Sequence, residues 1–400
     1  MIEKLKVILK EVKEKGDEAV LRYTEEFDHV RLEIKDLRVK PEEIERARHT
    51  CKKGFLSSIK KASENIYKFQ QRSVPRSWID STKDGVMGEI YKPISRVGIY
   101  VPGGRYPYPS TVLMTAIVAK IAGVKRIVIC TPPNRDKQIN PYTLVAADLI
   151  GVKEIYKVGG AQAIFSLTFG TESIPKVDKI VGPGNIYVSL AKKLVYGYVG
   201  IDMVAGPSEV LILADEVANP RFIIYSLLSQ AEHDPESKAL LVTPSDKIAE
   251  EVDKKLPSFP IILVKGIEEG IDLINTYSPE HLELHIVNPW DLIGSIKNAG
   301  AIFLGGFSPT VIGDYFAGPS HVLPTGGWAK FSSGLGVSDF MKRVSIISYT
   351  EQGLRKNAKD IIKLAETEGL GHHANAIKVR LGRITNDGKK GNGRKENCGD

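Results

Sequence analysis

Arg96-Val97-Gly98-Ile99-Tyr100-Val101-Pro102-Gly103-Gly104 is a short apolar run that empties into a Pro-Gly-Gly turn. A helix-like segment at 111–122 follows, and the pattern then repeats. Apolar runs at 126–130, 154–158 and 179–181 each lead to a turn containing Gly or Pro, with helix-like segments at 141–150, 161–169 and 186–196. Units recurring at about 25–30 residues are the signature of βαβ crossovers in a parallel, doubly wound sheet.

Downstream of Ser208 a second series begins, with candidate strands at 209–214, 238–243, 261–264, 283–287 and 301–304, again alternating with helices. The boundary between the two series falls near Ala205-Gly206-Pro207. Upstream, residues 1–72 read as helical. Ile2, Leu5, Ile8, Leu9 and Val12 form an apolar stripe ending at Gly16, and a helix after Pro41 runs toward Gln71. A hairpin follows, with Asp84-Gly85 as its turn and Pro93 near its end. Residues 351–368 read as a last helix broken by Gly369. The Gly-, Asn- and Lys-rich end, Thr385 to Asp400, is expected to be disordered.

Four hundred residues at 42% hydrophobic suffice for two or three domains with cores of their own. No stretch reaches the ~18 apolar residues of a membrane span. The opening Met1-Ile2-Glu3-Lys4-Leu5-Lys6 has no signal-like apolar region, so neither insertion nor export is expected. Three cysteines, Cys51, Cys130 and Cys398, stand in no paired spacing. That fits a reducing cytosol and excludes a disulfide framework or a cysteine-based zinc site. Cys130 has no His or basic neighbour and reads as a packed thiol. The net charge is +7, but the 48 acidic residues are interspersed with the 55 basic ones. With no recognition motif or basic-aromatic stripe, this is a solvated surface and not a nucleic-acid interface.

Six of the eight histidines fall after residue 230, most beside an acid or an amide. They occur in Gln230-Ala231-Glu232-His233, in Glu280-His281-Leu282-Glu283-Leu284-His285, as Asp314 followed by His321, and as Glu368 followed by His372-His373. Imidazole titrates near neutrality and is the commonest metal ligand, and neighbouring carboxylates and amides can complete a coordination sphere or accept protons. The pattern points to one metal or acid–base site built from four distant segments.

Asn219-Pro220 reads as the cap and first position of a helix running to about His233, which sets Gln230 and His233 on one face of its last turn. An ordinary polar helix end would look the same. Asp314 sits in a loop between Gly305-Gly306 and Gly318-Pro319. A lone loop Asp is usually a turn former, but His321 and Gly326-Gly327 add weight to this one. Glu280-His281, after Ser278-Pro279, sets a possible general base beside a second ionisable group at a strand entrance, although such pairs are commonplace on surface turns. The turns at 101–104, 158–162 and 181–185 would lie at the carboxyl edge of the first sheet, where α/β folds bind ligands and helix starts hold pyrophosphate. No segment reads G-x-G-x-x-G, so the residues alone give a nucleotide-sized crevice of unnamed ligand.

Taken together, several segments resemble histidinol dehydrogenases. They are Arg96 to Gly104, Val158-Gly159-Gly160-Ala161-Gln162-Ala163, Gly182-Pro183-Gly184-Asn185, Ile201 to Val210, Leu227 to His233, Ser278-Pro279-Glu280-His281-Leu282, Gly313-Asp314-Tyr315, His321-Val322-Leu323-Pro324-Thr325 and Glu368-Gly369-Leu370 with His373. The likeness runs in order over about residues 1–382. It implies one zinc per chain held by Gln230, His233, Asp314 and His373, with the spacing from Glu368 selecting His373 over His372. Ser208, His281, His321 and Glu368 match positions that hold the amino-alcohol substrate together with the metal ligands, and Tyr100, Gln162 and Asn185 match NAD-contacting positions. The implied fold is two incomplete Rossmann-like parallel-sheet domains, aldehyde-dehydrogenase-like, with N- and C-terminal helical extensions. The implied division is an extension at 1–22, a substrate and metal domain at 23–99 plus 208–350, an NAD-binding domain at 100–207, a dimerisation arm at 351–383 and a tail at 384–400. Two departures stand beside the metal positions: Asp234 where the family usually has Gly, and Pro319-Ser320 where Thr-Asn is common.

The activity implied is oxidation of L-histidinol to L-histidine through the aldehyde, with two NAD⁺ reduced in succession by a cytoplasmic homodimer that shares its active sites and needs neither nucleic acid nor membrane. The alcohol step must lose a hydroxyl proton, which His281 can take. The aldehyde step needs an oxygen nucleophile, and no cysteine is placed to supply a thiol, so water activated by Glu280 fits. Two rival classes are a metallohydrolase, which leaves the crevice unexplained, and a non-catalytic binding protein, which leaves the histidines unexplained.

Overall fold

Strands covered on both faces are apolar on both except where a polar side chain finds a buried partner, and the two main sheets of the computed structural model are built mostly from such runs. It describes residues 1–103, 106–232 and 234–383. In chain order the strands are β1 (Trp78–Ser81), β2 (Gly85–Pro93), β3 (Arg96–Tyr100), β4 (Arg126–Thr131), β5 (Glu154–Lys157), β6 (Lys179–Val181), β7 (Gly200–Ile201), β8 (Glu209–Ala214), β9 (Lys238–Thr243), β10 (Ile261–Leu263), β11 (His281–His285), β12 (Ala301–Leu304) and β13 (Met341–Tyr349). The helices are α1 (Ile2–Lys15), α2 (Asp17–Asp28), α3 (Ile34–Leu37), α4 (Pro41–Thr50), α5 (Lys53–Gln71), α6 (Pro109–Ile121), α7 (Pro141–Leu149), α8 (Gly160–Phe169), α9 (Ile186–Val195), α10 (Pro220–Ala231), α11 (Asp246–Asp253), α12 (Ile267–Tyr277), α13 (Thr310–Tyr315), α14 (Glu351–Thr367) and α15 (Gly371–Arg380).

The first sheet has the order β5-β4-β3-β6-β7 and the second β10-β9-β8-β11-β12, and every pairing in both is parallel. Each sheet starts in its middle, at β3 and β8, and winds outward both ways, which creates a switch point beside each starting strand. Side chains alternate between faces. On β4, Ile127 and Ile129 join the core under α4 to α7, whereas Val128 and Cys130 join that under α1, α2, α8 and α9. On β8, Val210, Ile212 and Ala214 pack toward α10 and α11, and Leu211 and Leu213 pack toward α12. Full burial of each Ile, Leu or Val stabilises the fold by about 1.5–3 kcal/mol.

Contacts divide the chain into two units. One is Met1–Pro75 with Pro93–Lys342 and contains both parallel sheets. The other is Arg76–Lys92 with the chain from Arg343 onward. This second unit holds most of the three-stranded sheet β1-β2-β13 and the helical hairpin α14–α15, with Lys356 and Asn357 bonded to the Asp84 carboxylate.

Several elements differ from the sequence reading. The helix expected from Pro41 to Gln71 is two helices, because Cys51 is extended at φ −75°, ψ 139°. Strand β11 begins at His281, two residues earlier than read, since its polar residues are buried and paired. Asp314 lies in the short helix α13 and not in a loop. Strand β13 was not anticipated. The segment 371–380 is a helix folded onto α14, where Ile362, Ala365, Ala374 and Ile377 form a small core. The tail 384–400 lies outside the described residues. No helix among the described residues is long and apolar enough to cross a membrane.

Candidate active site

The first cluster forms where β8 and β11 start. Glu209 opens β8 and His281 opens β11, and the register sets Val210 opposite His281 and His281 opposite Ala301. Glu280 and His281 are both buried, at 4% and 5% exposure. Glu280 Oε2 accepts from the Glu209 backbone N–H at 2.8 Å and lies 3.5 Å from His281 Nδ1. The same imidazole nitrogen is 3.2 Å from the Glu209 carbonyl oxygen, and the ring lies 6.0 Å from that of Phe303. The backbone of Glu280 comes close enough to Gly300 that a Cβ there would stand 2.5 Å from its carbonyl oxygen. Any side chain at 300 would push the Glu280-His281 pair out of place.

Burial drives the Glu280 carboxyl well above its ordinary pKa. The bond from the Glu209 N–H opposes the shift, the Glu209 and Asp314 carboxylates reinforce it, and a bond with the Ser208 side chain opposes it. A desolvated carboxyl of this kind is a strong base whenever it is ionised. The Glu209 side chain is itself tied down, accepting from Gly326 N–H at 2.9 Å and from Tyr277 Oη at 3.2 Å.

Asp314 and His321 join this end of the second sheet. His321 Nδ1 lies 3.0 Å from the Asp314 carbonyl oxygen, and its Nε2 lies 3.3 Å from Thr111 Oγ1 on α6. The loop before His321 is anchored by buried Ser320, whose Oγ donates to the Met114 carbonyl at 3.3 Å. The departure at Pro319-Ser320 therefore docks the loop onto α6. Ser208, Glu280, His281, Asp314 and His321 thus gather in one region.

Gln230 lies in the last turn of α10, whose N-cap Asn219 and following Pro220 are as read. Its side chain is 3% exposed, and Nε2 has no hydrogen-bond partner among the described residues. A buried amide without a partner is costly, and turning it over would offer its oxygen to a cation at the same place. Gln230 therefore fits a cation as an oxygen donor. His233 lies outside the described residues. Just beyond it Asp234 forms a tight turn, its Oδ1 accepting from Glu236 N–H at 2.9 Å. Glu368 and His373 belong to the second unit, at the bend between α14 and α15, where His373 N–H bonds the Leu370 carbonyl. Among the described residues no three His, Cys, Asp or Glu side chains come together as a metal cluster. His285 does not join the site; it turns to Glu283.

The second cluster lies at the carboxyl edge of the first sheet. Tyr100 ends β3 with its ring buried, and its hydroxyl oxygen accepts from the Gly160 N–H at 3.1 Å. Burial pushes the Tyr100 phenol above its ordinary pKa. Gly160 has φ +59°, and a Cβ there would stand 2.7 Å from the Gln162 amide oxygen. Gln162 is fully buried, and neither of its amide atoms has a partner among the described residues. Asn185 caps α9, its oxygen accepting from Tyr187 and Val188 N–H at 3.1 Å each. The turn before it is held by a buried pair, since Lys192 donates to the Gly182 carbonyl at 3.1 Å while Asp202 accepts from the Gly182 N–H at 2.7 Å and bonds Lys192. A cleft of about 180 Å³ opens at this edge beside Gly103, Thr131 and Pro132. A larger one, about 290 Å³ against Asn219, Phe222 and Tyr225, contains none of the site residues. Cys130 is fully buried, with its pKa raised by burial, as befits a packed thiol.

Sequence reading missed Glu209 and Asp28. Glu209 is a charge at the head of an otherwise apolar strand, which burial forces into pairing, and that was the available signal. Asp28 ends α2 beside Gly159, whose N–H it accepts, while Oδ2 has no partner among the described residues. Burial pushes its carboxyl up to about 6, opposed by His29 and the Gly159 bond. A raised carboxyl favours folding in its protonated form, so the penalty is absent below the unfolded value near 3.8 and complete above about 6. Asp28→Asn should therefore stabilise the protein by on the order of 1–2 kcal/mol near pH 8 and by almost nothing near pH 4. Thermal melts at both pH values check this, and an equal gain at both would refute it.

The profile described as histidinol dehydrogenase matches residues 1–381. The chain is 49% identical to the histidinol dehydrogenase of Clostridium acetobutylicum over 95% of this chain and 92% of that one. It superposes on the crystal structure of histidinol dehydrogenase from Elizabethkingia anophelis with a TM-score of 0.90 at 40% identity, covering 95% of this chain and 92% of the other. An acetylating aldehyde dehydrogenase from Geobacillus thermoglucosidasius superposes with a TM-score of 0.51 at 15% identity over 87% and 97% of the two chains, a likeness of fold alone.

Proposed function

This chain belongs to the histidinol dehydrogenases, oxidoreductases of histidine biosynthesis, and on that premise we propose that it oxidises L-histidinol to L-histidine through L-histidinaldehyde, reducing two NAD⁺ in succession. The observation that carries the reading is the buried Glu280-His281 pair at the head of β11, with Ser208, Asp314 and His321 around it. His281 takes the hydroxyl proton as hydride leaves the alcohol carbon. Glu280 then removes a proton from the water that adds to the aldehyde, and the hydrate gives up the second hydride. His321, Ser208 and Glu368 hold the substrate.

Gln230, His233, Asp314 and His373 would hold one zinc per chain, which when bound supplies orientation of the substrate's imidazole and amino nitrogens. The unpartnered amide of Gln230 supports this set. Residues 100–207 would bind NAD through Tyr100, Gln162 and Asn185, and the fully buried, unpartnered Gln162 amide supports that assignment. Residues 23–99 with 208–350 would hold substrate and metal. We read the enzyme as a cytoplasmic homodimer in which Glu368 and His373 complete the neighbour's site. Apolar surface left on the α14–α15 hairpin, at Leu364, Leu370 and Val379, supports a covering partner.

The test is stoichiometric. Purified protein should form about two NADH per histidinol consumed, since each of the two oxidations passes one hydride to NAD⁺. One NADH with accumulating aldehyde would refute the second oxidation.

A further inference from the structure

Glu283 lies on β11, two residues beyond His281, and takes part in no step above. It is completely buried, between Leu282 and Leu284. Its Oε1 accepts from the Thr310 backbone N–H at 2.6 Å and from Thr310 Oγ1 at 2.7 Å. Its Oε2 accepts from His285 Nε2 at 2.9 Å, and the Ser226 hydroxyl bonds the same carboxylate. Burial would raise this carboxyl, but the bonds from His285, Thr310 and Ser226 together hold it below its ordinary range. It is therefore ionised at neutral pH.

The two helices it reaches are informative. Ser226 lies on α10 four residues before Gln230, and Thr310 lies on α13 four residues before Asp314. Residues four apart stack on one helix face. One carboxylate thus grips both helices a single turn before the residue each offers to the proposed zinc. Stability alone does not require a charge here, because a buried charged group is often no better than a well-packed hydrophobic residue.

We propose that Glu283 is a positioning residue, a clamp between α10 and α13 that holds Gln230 and Asp314 at the separation one divalent cation needs. The inference rests on the zinc reading above. Its test uses full-length protein without substrate or NAD and compares wild type with Glu283→Gln and Thr310→Val. Zinc affinity is measured by competition with a chromogenic chelator, and amide hydrogen exchange is followed in the metal-free protein. Loss of such a supporting contact should weaken zinc binding about 10–100-fold in Glu283→Gln. The effect should be smaller in Thr310→Val, which keeps the backbone bond. Exchange should quicken in the last turns of α10 and α13 while β8 and β9 stay protected. Unchanged exchange in both helices overturns the clamp, whatever zinc does. Uniform acceleration through the second sheet also overturns it, because that is the mark of a merely structural role. Wild-type protein that binds no zinc refutes the metal reading, and exchange then decides the clamp by itself. If Glu283→Gln does not fold, Thr310→Val carries both measurements.

Discussion

Glu280→Gln should slow oxidation of histidinaldehyde by on the order of 10²–10⁴-fold while slowing the alcohol step far less, the range expected for removing a positioned general base. The substitution keeps the shape of the side chain and the acceptor for the Glu209 N–H, so the head of β11 should stay in register. What it removes is the group that can take a proton from water. Only the aldehyde step adds water, so only that step should suffer the full loss. His281→Asn should slow alcohol oxidation as well, since the hydroxyl proton then loses the imidazole proposed to take it. The wild-type aldehyde step should also gain rate as pH rises through the elevated Glu280 pKa, because the base acts only when ionised, and Glu280→Gln should lack that limb. Single-turnover rates with histidinol and with histidinaldehyde separate the steps. Equal, mild losses in both would remove Glu280 from the role of water-activating base.

The parts of this site legible in the sequence are those whose signal is local. Parallel strands covered on both faces read as unbroken apolar runs, and their carboxyl ends need turns, so β3 to β6 and their glycines were visible. Asn219-Pro220 announced α10 for a similar reason, as a cap and first turn require those residue types. The misses are non-local. Glu283 stands at the start of the strand read at 283–287, and nothing nearby in the sequence names its partners, because Thr310 and Ser226 come to meet the buried carboxylate from distant segments. His285 was pooled with the other histidines for want of that knowledge. The short helix bearing Asp314 was hidden by glycines on both sides. The break at Cys51 was masked because apolar spacing continues across it from Ala47 to Ile59. Residue type announced a charge to be satisfied at Glu209 and Glu283, but only the fold names the partner.

Mixing two inactive chains should restore activity. His233→Ala removes a proposed zinc ligand near the end of α10, and His373→Ala removes one from the α14–α15 hairpin. If each site takes His233 from one subunit and His373 from the other, a heterodimer of these chains has one site with both substitutions and one with neither. Random reassociation of equal amounts makes about half of the dimers mixed, so about a quarter of wild-type activity should return, against almost none for either chain alone. The physical motive is the hairpin itself. Its core is only Ile362, Ala365, Ala374 and Ile377, too small to account for Leu364 and Val379 left 66% and 54% exposed. A second copy burying those side chains would carry Glu368 and His373 with it, and two-fold symmetry makes the exchange reciprocal. A site completed within one chain predicts the opposite, because neither subunit of the heterodimer then has both histidines. Tagged chains purified by two successive affinity steps guarantee that heterodimers are assayed. Activity near a quarter in the unfractionated mixture should rise to about half in that fraction, where every dimer has one intact site of two. Verified heterodimers with no activity would end the shared-site reading, even for a protein that proves dimeric.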